Sequence, residues 1–198
     1  MRFTDGPRTH CDVLVRAGAE RVWELVTDIR LPARLSPELR RVAWLDGADR
    51  PAVGARFEGH NRHRLLGEWR TVSQVTELVP RQTFTWAVTD ADGRYGPPSV
   101  DPARPMAVWS YTLRTGADGV RLRQSVRVGP GPSGVTRAIE QRPDREPDII
   151  AFRLAELRAG MRETLTGVKA LAEAETDRDG QDELCDSDSS DEQDAGHR

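Results

Sequence analysis

A chain of 198 residues, 37% of them apolar, is long enough for one domain with a full core and too short for two comfortable ones. The formal net charge is −3, but from Glu175 onward the chain holds ten acids and two arginines, so this tail carries −8 and the body +5; the body's arginines are spaced out among apolar residues, which excludes the clustered basic patch of a nucleic-acid binder. Two cysteines, Cys11 and Cys185, suggest neither a disulfide framework nor a zinc quartet, and no apolar run approaches the roughly 20 residues of a membrane span.

The opening MRFTDGPRTHCDVLV lacks the apolar stretch and cleavage site of a secretory leader, so a cytoplasmic location is expected. Over residues 9–16, THCDVLVR alternates, with Cys11, Val13 and Val15 sharing the buried face of a first strand. AGAERVWELVTDI then sets Ala19, Val22, Trp23, Leu25, Val26 and Ile29 at helical spacing, and Pro32 is expected to stop that helix. LPARLSPEL predicts an irregular turn or a single helical turn.

Six more strands follow. RRVAWL puts Val42 and Trp44 on one face; ARFEGHNRH puts Phe57, Gly59 and Asn61 together; GEWRTVSQVTEL groups Trp69, Thr71, Ser73 and Val75. TFTWAVT groups Phe84, Trp86 and Val88; AVWSYTLRT groups Trp109, Tyr111 and Leu113; GVRLRQSVRVG groups Val120, Leu122, Gln124, Val126 and Val128. Residues 90–106, rich in Gly, Pro and Asp, are too long for a hairpin loop and read either as a lid or as a loose loop.

A polar, proline-containing stretch over 129–148 leads into a long final helix. Its stripe is Ile150, Leu154, Leu157, Met161, Leu165, Val168 and Leu171, with Arg153, Glu156, Arg158 and Glu163 expected to face away. From residue 176 the chain is highly charged and almost without apolar residues, the composition of a disordered acidic tail. The expected organisation is therefore a ligand-binding domain over 1–175 and a tail over 176–198. DRDG in the tail evokes a calcium loop but lacks the later ligand oxygens of one.

The order strand, helix, turn, six strands, long helix resembles the START-like, polyketide cyclase/dehydrase (SRPBCC) superfamily. VWELVTDI, SPELRRVAWLDG, VGARFEGHNRH, EWRTVSQVTEL and LAELRAGMRETLTGVK are similar to its actinobacterial branch, over about residues 9–174. The resemblance implies an α+β helix-grip fold: a seven-stranded curved antiparallel sheet wrapped around the long C-terminal helix, with a cavity between them that accepts a hydrophobic or polycyclic molecule. It carries no catalytic signature.

The residues point the same way. A purely structural interior favours aliphatics, yet the inward positions mix Asn61, Thr71, Ser73, Tyr111 and Gln124 with Phe57, Trp69, Trp86 and Trp109, facing Met161 on the helix. Trp23 and Trp44 read as core anchors, whereas Trp69, Trp86 and Trp109 read equally as core or pocket wall. His60 and His63, three apart on a strand, should face opposite sides and so share no metal. No Ser or Cys has the setting of a nucleophile, and neither a metal nor another cofactor is called for.

Three functions compete. The first is binding or carriage of a small hydrophobic or aromatic ligand. The second is an aromatase, cyclase or dehydrase acting on a poly-β-ketone, with Tyr111, Asn61 or Gln124 polarising a carbonyl. The third is a protein-interaction module, using the acidic tail. Oligomeric state is left open.

Overall fold

The structure is a computed structural model that describes residues 1–65 and 67–186. Its strands are β1 (Arg8–Val15), β2 (Leu39–Trp44), β3 (Arg56–His63), β4 (Gly67–Val79), β5 (Thr83–Thr89), β6 (Ala107–Gly116) and β7 (Gly119–Val128). They form one seven-stranded antiparallel sheet in the order β1-β7-β6-β5-β4-β3-β2. Six consecutive strands make a meander, and the first strand returns to pair with the last. The helices are α1 (Ala19–Thr27), α2 (Leu31–Leu35), α3 (Gly134–Gln141) and α4 (Glu146–Asp186). This is the helix-grip arrangement that the sequence implied.

Alternation places the expected residues inward, with one instructive break. Val75 pairs with Trp86 but Glu77 pairs with Thr85, so Thr76 is an extra residue in β4. The bulge flips the inward face, and Leu78 rather than Glu77 packs against the core beyond it. At the β6–β7 hairpin Gly119 has φ +122°, and a Cβ there would lie 2.3 Å from the Val15 carbonyl oxygen. Only glycine allows that approach, which seats the end of β1 against the hairpin.

Helix α4 packs on β1 and β7, the two strands at one end of the sheet. Cys11 Sγ donates to the Arg158 carbonyl at 3.5 Å, Lys169 Nζ donates to the Leu14 carbonyl at 2.9 Å, and Glu173 accepts the Arg16 N–H at 2.7 Å. Beneath this contact Val15, Val22, Val26, Leu122, Val126, Met161, Leu165 and Val168 are almost wholly buried. Each contributes roughly 1.5–3 kcal/mol of apolar burial, so this end of the sheet anchors the helix. A smaller cluster of Val128, Val135 and Ile150 fixes α3 against the start of α4.

Three details differ from the sequence reading. First, α1 ends at Thr27, and Pro32 does not stop it. Instead Pro32 sits in the first turn of α2, where its missing N–H costs nothing. Second, α3 lies inside the segment read as a polar connection. Eight residues offering Val135 and Ile139 are too few to show a helical period. Third, the 90–106 loop is fastened: the Asp90 carboxylate accepts the N–H groups of Arg94 and Tyr95 at 3.0 and 2.7 Å, and the Asp90 carbonyl accepts that of Ser99 at 2.9 Å.

The backbone of α4 extends to Asp186, past the expected start of the tail, while 187–198 lie outside the described residues. No helix among the described residues is long and apolar enough to cross a membrane.

Several carboxylates that tie the fold together are held below their ordinary pKa. Asp12 is lowered by hydrogen bonds from Arg123, Glu58 by His60 and then Arg70, and Asp92 by Arg70. Glu146 is lowered by the Phe3 N–H and then Arg2, and Glu173 by Lys169 and then the Arg16 N–H. Depressed folded values mean that their stabilisation is complete above the unfolded carboxylate range and is lost as pH falls through the folded values. Urea midpoints followed by circular dichroism should therefore hold steady from neutrality down to about pH 5 and decline progressively below about pH 4. The substitutions R70Q and R123Q should make that decline shallower.

Candidate functional site: a cavity between sheet and helix

Because α4 leans on β1 and β7, the curved inner face of β3 to β6 stands away from it. The space between is a cavity of about 400 Å³. All ten side chains singled out from the sequence line it. Phe57 and Asn61 come from β3, Trp69, Thr71 and Ser73 from β4, and Trp86 from β5. Trp109 and Tyr111 come from β6, Gln124 from β7, and Met161 from α4.

One wall is a run of aromatic rings. Trp86 and Trp109 are stacked across paired strands, 9° from parallel with centroids 6.5 Å apart. Tyr111 is 5.6 Å from Trp86 and Phe57 is 6.4 Å away, while Phe84, 5.0 Å from Trp86, belongs to the core and does not line the cavity. Trp44 meets Phe57 edge-on at 5.6 Å, behind the wall rather than in it. Trp86 and Trp109 pack on the core and also line the cavity, so both readings of these residues hold. The result is a broad apolar surface of tilted rings around one near-parallel tryptophan pair.

The polar groups of the cavity divide into spent and unspent. Asn61 Nδ2 donates to the Gly59 carbonyl at 3.3 Å and to Thr71 Oγ1 at 3.4 Å, and Thr71 itself donates to the Gly59 carbonyl at 3.4 Å. By contrast, Gln124 Oε1 is buried without a hydrogen-bond partner among the described residues. Tyr111 is fully buried, and burial pushes its phenol far above the ordinary value, so it stays a neutral donor.

Charge is confined to a cluster on the cavity's rim. Arg153 grips Glu38 through two bonds, Nη2 to Oε1 at 2.8 Å and Nη1 to Oε2 at 3.1 Å, and Nη1 also reaches Glu156 Oε2 at 3.4 Å. Glu156 Oε1 lies 3.2 Å from His63 Nε2. Desolvation disfavours the Arg153 charge, but the two carboxylates outweigh it and raise its pKa. Beside this cluster the Asp90-bound turn delivers Tyr95 to the cavity, while Leu65 and Phe152 stand 67% and 52% exposed.

Arg153, Glu156, Glu38 and Tyr95 were not singled out from the sequence, and Arg153 and Glu156 do not face away as expected. The signal was present. Ile149, Phe152, Arg153, Glu156, Leu157, Gly160, Met161 and Thr164 all line the cavity, a second stripe of three- and four-residue spacing beside the core stripe. A stripe containing Arg and Glu is easily taken for a solvated face. His60 and His63 do face opposite sides: His60 contacts Glu58 and Arg41 outside, whereas His63 lines the cavity. Among the described residues no group of His, Cys, Asp and Glu is placed to hold a metal ion.

The sequence model of the family described as "Polyketide cyclase / dehydrase and lipid transport" matches residues 8–173. Comparison with curated proteins finds no match. Among solved structures, the fold is similar to that of the polyketide_cyc-like protein Cgl2372 from Corynebacterium glutamicum, at 24% identity and a TM-score of 0.58. That alignment covers 86% of this chain and 94% of the other. It is also similar to the di-domain ARO/CYC StfQ of the steffimycin pathway, at 11% identity and a TM-score of 0.64, over 85% of this chain and 51% of that one. The di-domain ARO/CYC BexL of the BE-7585A pathway gives 16% identity and a TM-score of 0.61, over 84% and 50%.

The rim cluster yields a stability prediction. R153M leaves Glu38 and Glu156 facing each other without their shared cation, and should cost about 1–3 kcal/mol in urea unfolding. E38Q leaves Arg153 paired with Glu156 and should cost less. Equal losses in the two variants would mean that Arg153 does not join both carboxylates.

Proposed function

The chain belongs to the polyketide cyclase/dehydrase and lipid transport family, and from that premise we propose that it binds a small, largely apolar, flat molecule in the cavity between sheet and α4. The observation that carries this reading is the aromatic wall: a core built only for stability would close over Trp86 and Trp109, whereas here both border a space of about 400 Å³. The few neutral polar groups among the rings would orient a ligand, and the rim charges, already paired, leave the interior apolar.

A second reading is favoured by one specific observation, the similarity in fold to the ARO/CYC chains StfQ and BexL. In an aromatase, cyclase or dehydrase the wall would hold a poly-β-ketone folded, while Tyr111 or Gln124 polarised a carbonyl. Incubation with a carrier-tethered polyketide distinguishes the two: an enzyme alters the cyclisation products and Y111F diminishes the change, whereas a carrier leaves the products as they are.

Native mass spectrometry of the purified protein, followed by melting in the presence of polycyclic aromatics and lipids, tests the binding reading. A ligand at a hundredfold excess over its Kd stabilises the folded state by about 2.7 kcal/mol, a readily measured rise in Tm. No co-purifying small molecule and no shift across such a panel would remove the basis for it.

A further inference from the structure

We propose that Gln124 is the specificity-determining residue of the cavity, and that it selects flat apolar molecules carrying a hydroxyl or comparable N–H donor at their buried end. This rests on the ligand-binding reading above and adds the chemical class of the ligand.

Gln124 is 6% exposed and its Oε1 has no partner among the described residues. A buried acceptor left unpaired opposes folding, and an apolar side chain of similar size would remove that cost. The amide therefore makes physical sense where something other than the protein completes it. The carboxamide carries an acceptor, Oε1, and two N–H donors on a separate atom, and turning it exchanges which of the two faces a given point.

Its surroundings narrow what that something is. Across the strands Gln124 pairs with Tyr111 on one side and Cys11 on the other, and Cys11 is occupied with the Arg158 carbonyl. Tyr111 is 1% exposed and neutral, so the inner end of the cavity presents a carboxamide beside a phenol, against the ring of Trp86. No charged side chain lines this inner end. Arg153, Glu38, Glu156 and His63 pair with one another at the rim, by the exposed Leu65 and Phe152.

A carboxylate or ammonium placed against Gln124 would be buried without a counter-charge, whereas an alcohol or phenol would pair its O–H with Oε1 and need nothing more. Other donors of the cavity are already engaged: Asn61 Nδ2 and the Thr71 hydroxyl with each other and with the Gly59 carbonyl, and the Thr164 hydroxyl with the Gly160 carbonyl.

The test uses the full chain and three probes of nearly one shape: anthracene, β-hydroxyanthracene and β-methoxyanthracene. Kd is read by energy transfer from tryptophan. The methoxy compound accepts a hydrogen bond but cannot donate one. The wild type should bind β-hydroxyanthracene roughly tenfold to a hundredfold more tightly than the other two. Q124M should bind all three alike, with anthracene affinity unchanged or higher, and its Tm without ligand should be no lower than that of the wild type.

Equal binding of the three probes by the wild type would overturn the inference, as would a hydroxyl preference that survives in Q124M; in either case anthracene binding still upholds the cavity as a ligand site. A Q124M protein that melts well below the wild type would also overturn it, by showing that the amide has a structural partner. Failure of every probe to bind the wild type would remove both this inference and the reading on which it rests.

Discussion

The structure depends on where α4 touches the sheet. The helix is bolted to β1 and β7 by a dense apolar contact and by three side-chain to backbone bonds at Cys11, Lys169 and Glu173. Antiparallel strands twist, so a seven-stranded sheet held to a straight helix along one end must curve away from it at the other. The cavity is the geometric consequence of that asymmetry rather than a defect in packing. The same asymmetry explains why β3 to β6 carry Trp, Tyr, Asn and Ser on their inner face, while β1 and β7 carry mostly Val and Leu beneath the helix.

Polarity is distributed along the cavity according to what water can reach. At the rim, side chains that remain partly exposed keep full charges, and each charge meets an opposite one: Arg153 is 18% exposed and lies between two carboxylates. At the inner end, where an unpaired charge would cost several kcal/mol, only neutral groups occur. Between the ends lies the aromatic wall. An apolar body, a neutral polar end and a closed set of rim charges together describe a site that discriminates by shape and by hydrogen bonding, and not by electrostatic attraction.

Most of this was legible in the sequence because strand alternation is a strong signal. The inward residues of β3 to β7 could be read directly, and all ten site residues line the cavity. The parts that escaped have physical reasons. The bulge at Thr76 inverts the face within β4, yet Val75 and Leu78 both lie inward because the bulge falls between them. Helix α3 is too short to show a period, and α4 carries two adjacent stripes of which only the apolar one stood out. Tyr95 could not be placed because its position depends on the Asp90 carboxylate capturing two N–H groups, a contact with no pattern in the sequence. Nor can alternation say which inward polar groups find partners: Asn61 and Gln124 look alike in the strand pattern, yet Asn61 Nδ2 donates to Gly59 and Thr71 while Gln124 Oε1 is buried without a partner among the described residues.

That last distinction bears on why the cavity persists. Thr71, Ser73 and Gln124 are each less than a tenth exposed on the inner face, and larger apolar residues there would fill space and bury more surface. The protein accommodates this because its stability is secured elsewhere, in the contact of α4 with β1 and β7 and in a sheet whose seven strands are paired in one continuous ladder order. Anchoring at one end thus frees the other end from the demand for close packing. The residues that can vary to suit a ligand are then those on β3 to β6, Gln124 on β7 and the first half of α4, while those under the second half of α4 are bound to the fold.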